Sequence, residues 1–425
     1  MEMFIMSSCK KIVLLTLLVC GLSPYGKCYE IDKKLKDVFQ QSKKERVAII
    51  GIGDSNQYFK KMGWNKYMRE AVMKTFGCYG TGLVETQNLF LKWSKPKGFI
   101  NKNAPDEFNQ LFSYYYLPDG KEDISDWSRG GLAIPADSPV NIKSELTCHI
   151  VYGTFKIGNG SFQPVVRKNQ PPWNILKCKS TKILTNTGTN GISGTNLILP
   201  PDHKRDYPLM FLFAPVNTAI PGPFLVAYSW VENNMKIGCS YQTLYGVGGH
   251  SLYEMLNNLR AKGEIKVANY FKNVRKSLNG SKTCIVMINS GLNDRNRNGL
   301  SIGPTGKFPS SSKDGYKDNL NGIVVFLQKC WNQAGGNENT IYFVFFPSHS
   351  ISDPDDIKLT EYRDAAAELA QKIPNASCII IPKLVSHKYM EDNEFFDKKG
   401  NAHLTANGYK WISEAIISAI NKEKQ

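Results

Sequence analysis

Four short stretches of this chain hold residue types that acyl transfer requires, and each follows or precedes an apolar run. The first is VAIIGIGDSNQ, residues 47–57, which stops at Gly53-Asp54-Ser55-Asn56. The second is YGVGGHSLYEML, where Gly246, Gly248 and Gly249 precede a helix expected to start near Ser251. The third is NSGLNDRN with Asn293, and the fourth is GNAHLTANGY with His403. A serine hydroxyl must give up its proton as it attacks a carbonyl, and a histidine is the side chain poised to take it near neutral pH. The carbonyl oxygen then becomes an oxyanion and needs preorganised donors. A glycine amide and the NH2 of an asparagine can supply them.

Strands and helices must bring these residues together. Val47, Ala48, Ile49, Ile50 and Ile52 form a run too short and too β-branched for a helix, and read as a strand buried on both faces. A serine just past the carboxyl end of such a strand stands where open α/β sheets bind ligands. In WNKYMREAVMKTFG, Trp64, Tyr67, Met68, Ala71, Val72 and Phe76 repeat with helical spacing, and Gly77 is a natural stop. From 244 onward strand and helix alternate: TCIVMINSG, TIYFVFFP and SCIIIPKL read as strands. YKDNLNGIVVFLQKCWNQAG, LTEYRDAAAELAQKI and NGYKWISEAIISAI read as helices, the last burying Trp411, Ile412, Ala415, Ile416 and Ala419. That alternation implies a parallel sheet with helices on both faces. Residues 86–243 differ, with short alternating runs such as LTCHIVYGTFKIG, YPLMFLFAPV, FLVAYSWVE and MKIGCSYQ between turn signals. They suggest an antiparallel β-sandwich inserted in a discontinuous α/β domain of residues 29–85 and 244–425.

In this order, GDSN, GVGGHS, GLND and HLTANGY resemble the four sequence blocks of the GDSL or SGNH hydrolases, the esterase and lipase superfamily. The resemblance covers the α/β part only. It implies a flavodoxin-like α/β/α sandwich, with Ser55 as nucleophile and His403 as base. It also implies an oxyanion hole formed by the amides of Ser55 and Gly249 and the side chain of Asn293, with no metal or cofactor. Family members usually carry an aspartate three residues before the histidine. Here that position is Gly400, and Asp397 stands six residues before His403. Either Asp397 reaches the imidazole through a bulged loop or a backbone carbonyl orients the ring of a Ser-His dyad.

Other residues read as structural. Asp54 and Asp294 are expected to brace their loops; His250 either lines the site or sits in a solvated loop. His387 is the runner-up base, without the C-terminal helix context, and His149, His203 and His349 carry no signal. FGCYGTGLV lacks the Lys-Ser/Thr ending of a P-loop. There is no G-x-S-x-G elbow and no HExxH.

The first 28 residues read as a signal peptide: a lysine pair, an apolar run from Ile12 to Leu22, then a turn-rich tail with Gly26 and Cys28 before Tyr29. The run is too short to span a bilayer. A secreted or periplasmic chain can form disulfides. Cys78, Cys148, Cys178, Cys239, Cys284, Cys330 and Cys378 follow the leader, an odd number. A bridge among Cys148, Cys178 and Cys239 is the natural candidate, while Cys284 and Cys378 belong to core strands. The formal charge of +16 over 425 residues favours contact with an anionic surface. The basic residues are spread out, with no nucleic-acid motif, so nucleic acid is set aside as a partner. Sequons stand at Asn159, Asn279 and Asn375.

A β-sandwich between the first and second blocks looks like the arrangement in SGNH esterases with an inserted carbohydrate-binding-like domain, bacterial peptidoglycan O-acetylesterases being the nearest comparison. Phe112, Tyr114, Tyr115, Tyr116, Trp127, Trp173 and Trp230 offer either sugar-stacking faces or core. The expectation is therefore a carbohydrate O-acetylesterase acting on an acetylated glycan. The alternatives are a lipase, lysophospholipase or O-acetyltransferase on the same site, or an inactive glycan-binding protein.

Overall fold

The computed structural model describes residues 31–58, 63–80, 234–246, 248–295, 301–349, 356–397 and 403–422. Between them it describes 84–85, 132–135, 145–154, 161–168, 175–176, 178, 183–185, 191–201, 209–215 and 224–232. The expected leader, Phe112, Tyr114, Tyr115, Tyr116, Trp127, Trp173, His203, Asn159 and Gly400 lie outside these residues. So does the side chain of Trp230.

Five strands form one wholly parallel sheet: β1 (Arg46–Gly53), β2 (Gly238–Gly246), β3 (Cys284–Ser290), β4 (Ile341–Pro347) and β5 (Ala376–Cys378). Their order is β2-β1-β3-β4-β5, the flavodoxin-like arrangement. Helices cover both faces. They are α1 (Lys33–Gln40), α2 (Ser55–Tyr58), α3 (Trp64–Phe76), α4 (Leu252–Lys262), α5 (Glu264–Leu278) and α6 (Leu292–Arg295). They continue with α7 (Lys313–Gln333), α8 (Ile357–Lys372), α9 (Ile381–Leu384), α10 (His387–Asp392) and α11 (Ala406–Asn421).

Successive β1 side chains point to opposite faces, and this divides the core in two. Ala48, Ile50 and Ile52 pack with Leu252, Leu256 and Leu259 of α4, Phe271 of α5 and Leu320 and Leu327 of α7. Val47 and Ile49 pack with Leu35 and Phe39 of α1, Trp64 and Val72 of α3 and Ile412 and Ile416 of α11. Each fully buried Ile, Leu or Phe contributes about 1.5–3 kcal/mol. Because both faces are covered, β1 to β4 are buried at every position, and this is why β1, β3 and β4 read as continuous apolar runs.

The antiparallel strands form two further sheets. One orders 84–85, 224–232, 146–154 and 191–199; the other orders 132–135, 209–215, 161–168 and 175–176, with 184–185 paired to 161–168. An α/β/α layer joined to antiparallel sheets is thus the architecture of the chain. Three expectations are corrected. Residues 238–243, grouped by their alternation with the antiparallel runs, belong to the parallel edge strand β2. Its polar Ser240, Gln242 and Thr243 imitate a half-solvated strand, yet all three are buried. Val84 and Glu85 pair with 227–228 and so belong to an antiparallel sheet. Among the described residues Cys78, Cys239, Cys284 and Cys330 are free thiols, so the expected bridge does not involve Cys239. Cys239 lies in β2 opposite Cys78, away from the strand that carries Cys148. Among the described residues no helix is long and apolar enough to cross a membrane.

Candidate active site

The strand order reverses at β1: β2 lies on one side of it and β3 on the other. Connections leaving adjacent strands on opposite sides open a crevice at their carboxyl ends, the usual ligand position in such sheets. Ser55, Asn293 and the glycines at 248 and 249 all follow the carboxyl ends of these three strands.

Gly53 closes β1 because nothing larger fits. A Cβ there would stand 2.7 Å from Gln57 Cβ and 3.1 Å from the Asn289 carbonyl oxygen. The Gln57 amide donates across to Thr243 Oγ1 (3.1 Å) and the Tyr241 hydroxyl (3.3 Å) on β2, and so anchors the turn that starts at Ser55. His403 arrives from the far end of the chain, two residues ahead of the Thr405 cap of α11, whose hydroxyl accepts from the Gly408 amide. Ser55 Oγ and His403 Nε2, 348 residues apart, are 2.9 Å apart in space. For the hydroxyl to donate, Nε2 must be the unprotonated nitrogen, which puts the ring proton on Nδ1. Burial lowers the His403 pKa below its ordinary 6.5, against the pull of Asp397. At pH 7 the imidazole is therefore neutral, the form that can accept a proton. Both side chains are half-buried and keep access to solvent.

Asp397 lies beside His403 through the backbone. Its amide donates to the His403 carbonyl (3.1 Å), Phe396 bridges Leu404, and the Thr405 amide donates to Phe395 O (2.7 Å). The acid is exposed, and its negative charge raises the imidazole pKa. An exposed acid is weaker in this role than a buried one, because water screens it. Asp397→Asn is expected to lower kcat/KM by less than about tenfold, against about 10⁴ for the buried acid of a serine protease triad. Removing the charge also lowers the imidazole pKa further, so the acid limb of the pH–rate profile should move to lower pH. Steady-state rates across pH for both proteins measure each effect.

The second stretch meets Ser55 itself and the third meets its neighbour Asp54. A Cβ on Gly248 would stand 3.6 Å from Ser55 Cβ. Gly249 has φ +80°, which favours glycine, and is exposed. Ser251 caps α4 in a reciprocal box with Glu254, as the sequence expects for a helix starting there. The Asn293 amide donates to Asp54 Oδ2 (3.2 Å) and to the His250 carbonyl (3.2 Å), which ties the first three stretches together. Asp54 Oδ1 accepts from the Asn56 backbone (2.9 Å) and side-chain (3.1 Å) amides. Asp294 accepts from the Leu252 (3.0 Å) and Gly291 (3.1 Å) amides and so joins α4 to the β3–α6 turn. Burial pushes the Asp54 carboxyl up to about 6 and that of Asp294 to about 7. Both brace loops.

The His250 ring is set by the Tyr245 hydroxyl, 2.6 Å from Nδ1, which in turn accepts from the Asn258 amide at 2.8 Å. The Asn258 amide also lies 3.3 Å from the same ring nitrogen, so Tyr245 and Asn258 together fix the orientation of the ring. His387 pairs with Glu391 one turn on (3.2 Å) and packs on Phe396. His349 is fully buried beside Trp64. Among the described residues no group of three or more His, Cys, Asp or Glu is placed to hold a metal ion. Sequence reasoning missed Asn56 and Tyr409, whose hydroxyl donates to Asn56 Oδ1. Only the adjacency of Asn56 to Ser55 could have pointed to them.

No protein-family model matches the chain, and no curated protein matches it. Among solved structures it is similar to a carbohydrate esterase family 2 enzyme with a carbohydrate-binding domain from Myceliophthora fergusii. The TM-score is 0.32 at 11% identity, over 68% of this chain and 93% of that one. It is also similar to the acetyl xylan esterase Est2A of Butyrivibrio proteoclasticus, with TM-score 0.27, 11% identity and coverage of 68% and 89%. The salicylyl-acyltransferase SsfX3 from a tetracycline biosynthetic pathway gives 0.27, 11%, 64% and 78%. Likeness at this level carries no argument about chemistry.

Proposed function

We propose that the chain is an exported serine esterase of the SGNH type that removes O-acetyl groups from a carbohydrate. The observation that carries this is the 2.9 Å contact between Ser55 Oγ and His403 Nε2, two groups brought together from opposite ends of the chain. In this reading Ser55 attacks the ester carbonyl and His403 takes its proton. His403 then gives the proton to the departing sugar oxygen, which leaves as a hydroxyl; water, deprotonated by the same imidazole, attacks the acetyl-serine, and the imidazolium protonates Ser55 Oγ as acetate leaves. The oxyanion is held by the Gly249 amide, the Asn293 NH2 and the Ser55 amide. That last amide opens the first turn of α2, where a backbone N–H has no intrahelical acceptor. Asn293 must turn one of its hydrogens from Asp54 or His250 toward the oxyanion as charge develops. A half-exposed serine suits an ester carried on a bulky glycan, and the basic chain suits an anionic cell-surface polymer.

The test is a chain-length series on purified protein. Acetyl esters and acetylated polysaccharide are expected to be turned over, and octanoyl esters at least tenfold more slowly by kcat/KM. Preference for the long acyl chain would assign the site to lipids and end the carbohydrate reading.

A further inference from the structure

A buried chain of hydrogen bonds runs behind the site and touches every stretch that builds it. It starts at Tyr409 on α11, a fully buried phenol six residues after His403. Its hydroxyl donates to Asn56 Oδ1. The Asn56 backbone and side-chain amides both donate to Asp54 Oδ1, and Asp54 Oδ2 accepts from the Asn293 amide. Asn293 donates in addition to the His250 carbonyl, next to Gly249. Asp54 and Asn56 flank Ser55, and both are fully buried. Burial raises the phenol pKa well above its ordinary value, against a backbone hydrogen bond from Leu404, the residue after His403. Tyr409 is therefore a neutral donor, held from the side of the base.

Asn56 is the central link. Its side chain uses the carbonyl oxygen toward Tyr409 and the NH2 toward Asp54, so the orientation of its amide is determined at both ends. With the Tyr409 hydroxyl in place, Asn56 can only present donors to Asp54, and Asp54 keeps its second oxygen for Asn293. Without that hydroxyl the buried Asn56 oxygen loses its partner. The amide is then free to rotate, and the carboxylate can swing away from Asn293.

We infer that Tyr409 is a positioning residue that acts through Asn56 and Asp54 to hold the Asn293 carboxamide where the oxyanion forms. The inference rests on the esterase reading above. It extends that reading to a residue that touches neither the substrate nor the reacting atoms.

The test is a double-mutant cycle on acetyl-ester hydrolysis by the full chain, with wild type, Tyr409→Phe, Asn293→Ala and the double variant. Misplacing a catalytic group by about 1 Å can cost on the order of a hundredfold. Tyr409→Phe is therefore expected to lower kcat about tenfold with KM unchanged. In the Asn293→Ala background the same change should cost less than about twofold, because the group it positions is gone. A role in general stability would give the same factor in both backgrounds, and that result would overturn the inference. Circular dichroism confirms that each variant is folded. Should Tyr409→Phe not fold, Asn56→Ala replaces it in the same cycle with the same expectation. Wild-type protein with no Ser55-dependent turnover would overturn the esterase reading and this one with it. An active wild type with an additive cycle would overturn this one alone.

Discussion

Replacing Ser55 by alanine is expected to reduce acetyl-ester turnover roughly 10⁵-fold, to the rate left by binding and oxyanion stabilisation alone. The size follows from loss of the covalent step, since the remaining groups can only orient water against the bound ester. The alanine should be accommodated, because Ser55 is half-buried and its side chain bonds only to His403 among the described residues. A melting temperature within a few degrees of wild type is therefore part of the expected result, and it separates lost chemistry from lost fold. The measurement is kcat for a chromogenic acetate ester, with both proteins purified side by side. Equal, slow release by the two proteins would point to a binding protein instead.

His403→Gln is expected to cost nearly as much, and the Ser55→Ala/His403→Gln pair no more than either change alone. A nucleophile and its base act as one unit, so their effects do not multiply. The wild-type pH profile tests the same contact from another side. Burial holds the His403 pKa below 6.5, so the base form persists under mildly acidic conditions. The sign is definite: activity is full above the folded-state pKa, falls as the pH drops through it, and the midpoint lies below 6.5. Asp54, pushed up to about 6, titrates in the same range and bonds Asn293. Asp54→Asn cannot ionise. If His403 causes the acid limb, the limb stays in place in that variant, whatever the variant's absolute rate.

Much of this arrangement was legible in the sequence because its causes are local. A strand buried on both faces shows as an unbroken apolar run, and β1, β3 and β4 were visible for that reason. Helix α3 repeats its apolar residues with helical period and stops at Gly77, whose φ of 79° suits glycine. In α11 the same period located the helix and the two central residues of its buried stripe. Ile412 and Ile416 face the core, while Trp411 sits at the margin against Tyr389 and Phe395. Edge strand β2 was misassigned because its polar residues find buried partners that no pattern announces: Ser240 with the Tyr79 hydroxyl, Thr243 with the Gln57 amide. The bond from Tyr409 to Asn56 joins residues 353 positions apart, and nothing periodic marks either partner. Serine, asparagine and histidine could be picked out one by one because each ends or begins an element. The hydrogen bonds that set their orientation depend on the order of strands in the sheet, and that order becomes visible only in three dimensions.

The most direct test of the pairing is covalent. An aryl dialkyl phosphate phosphorylates a serine rapidly when a base is removing its proton, with the aryloxide as leaving group, and it leaves the label in place. Peptide mass spectrometry after exposure to such a reagent is expected to find one adduct, on Ser55, absent from Ser55→Ala and strongly slowed in His403→Gln. No adduct on a folded wild-type protein, or an adduct on a different residue with Ser55 untouched, would contradict the account.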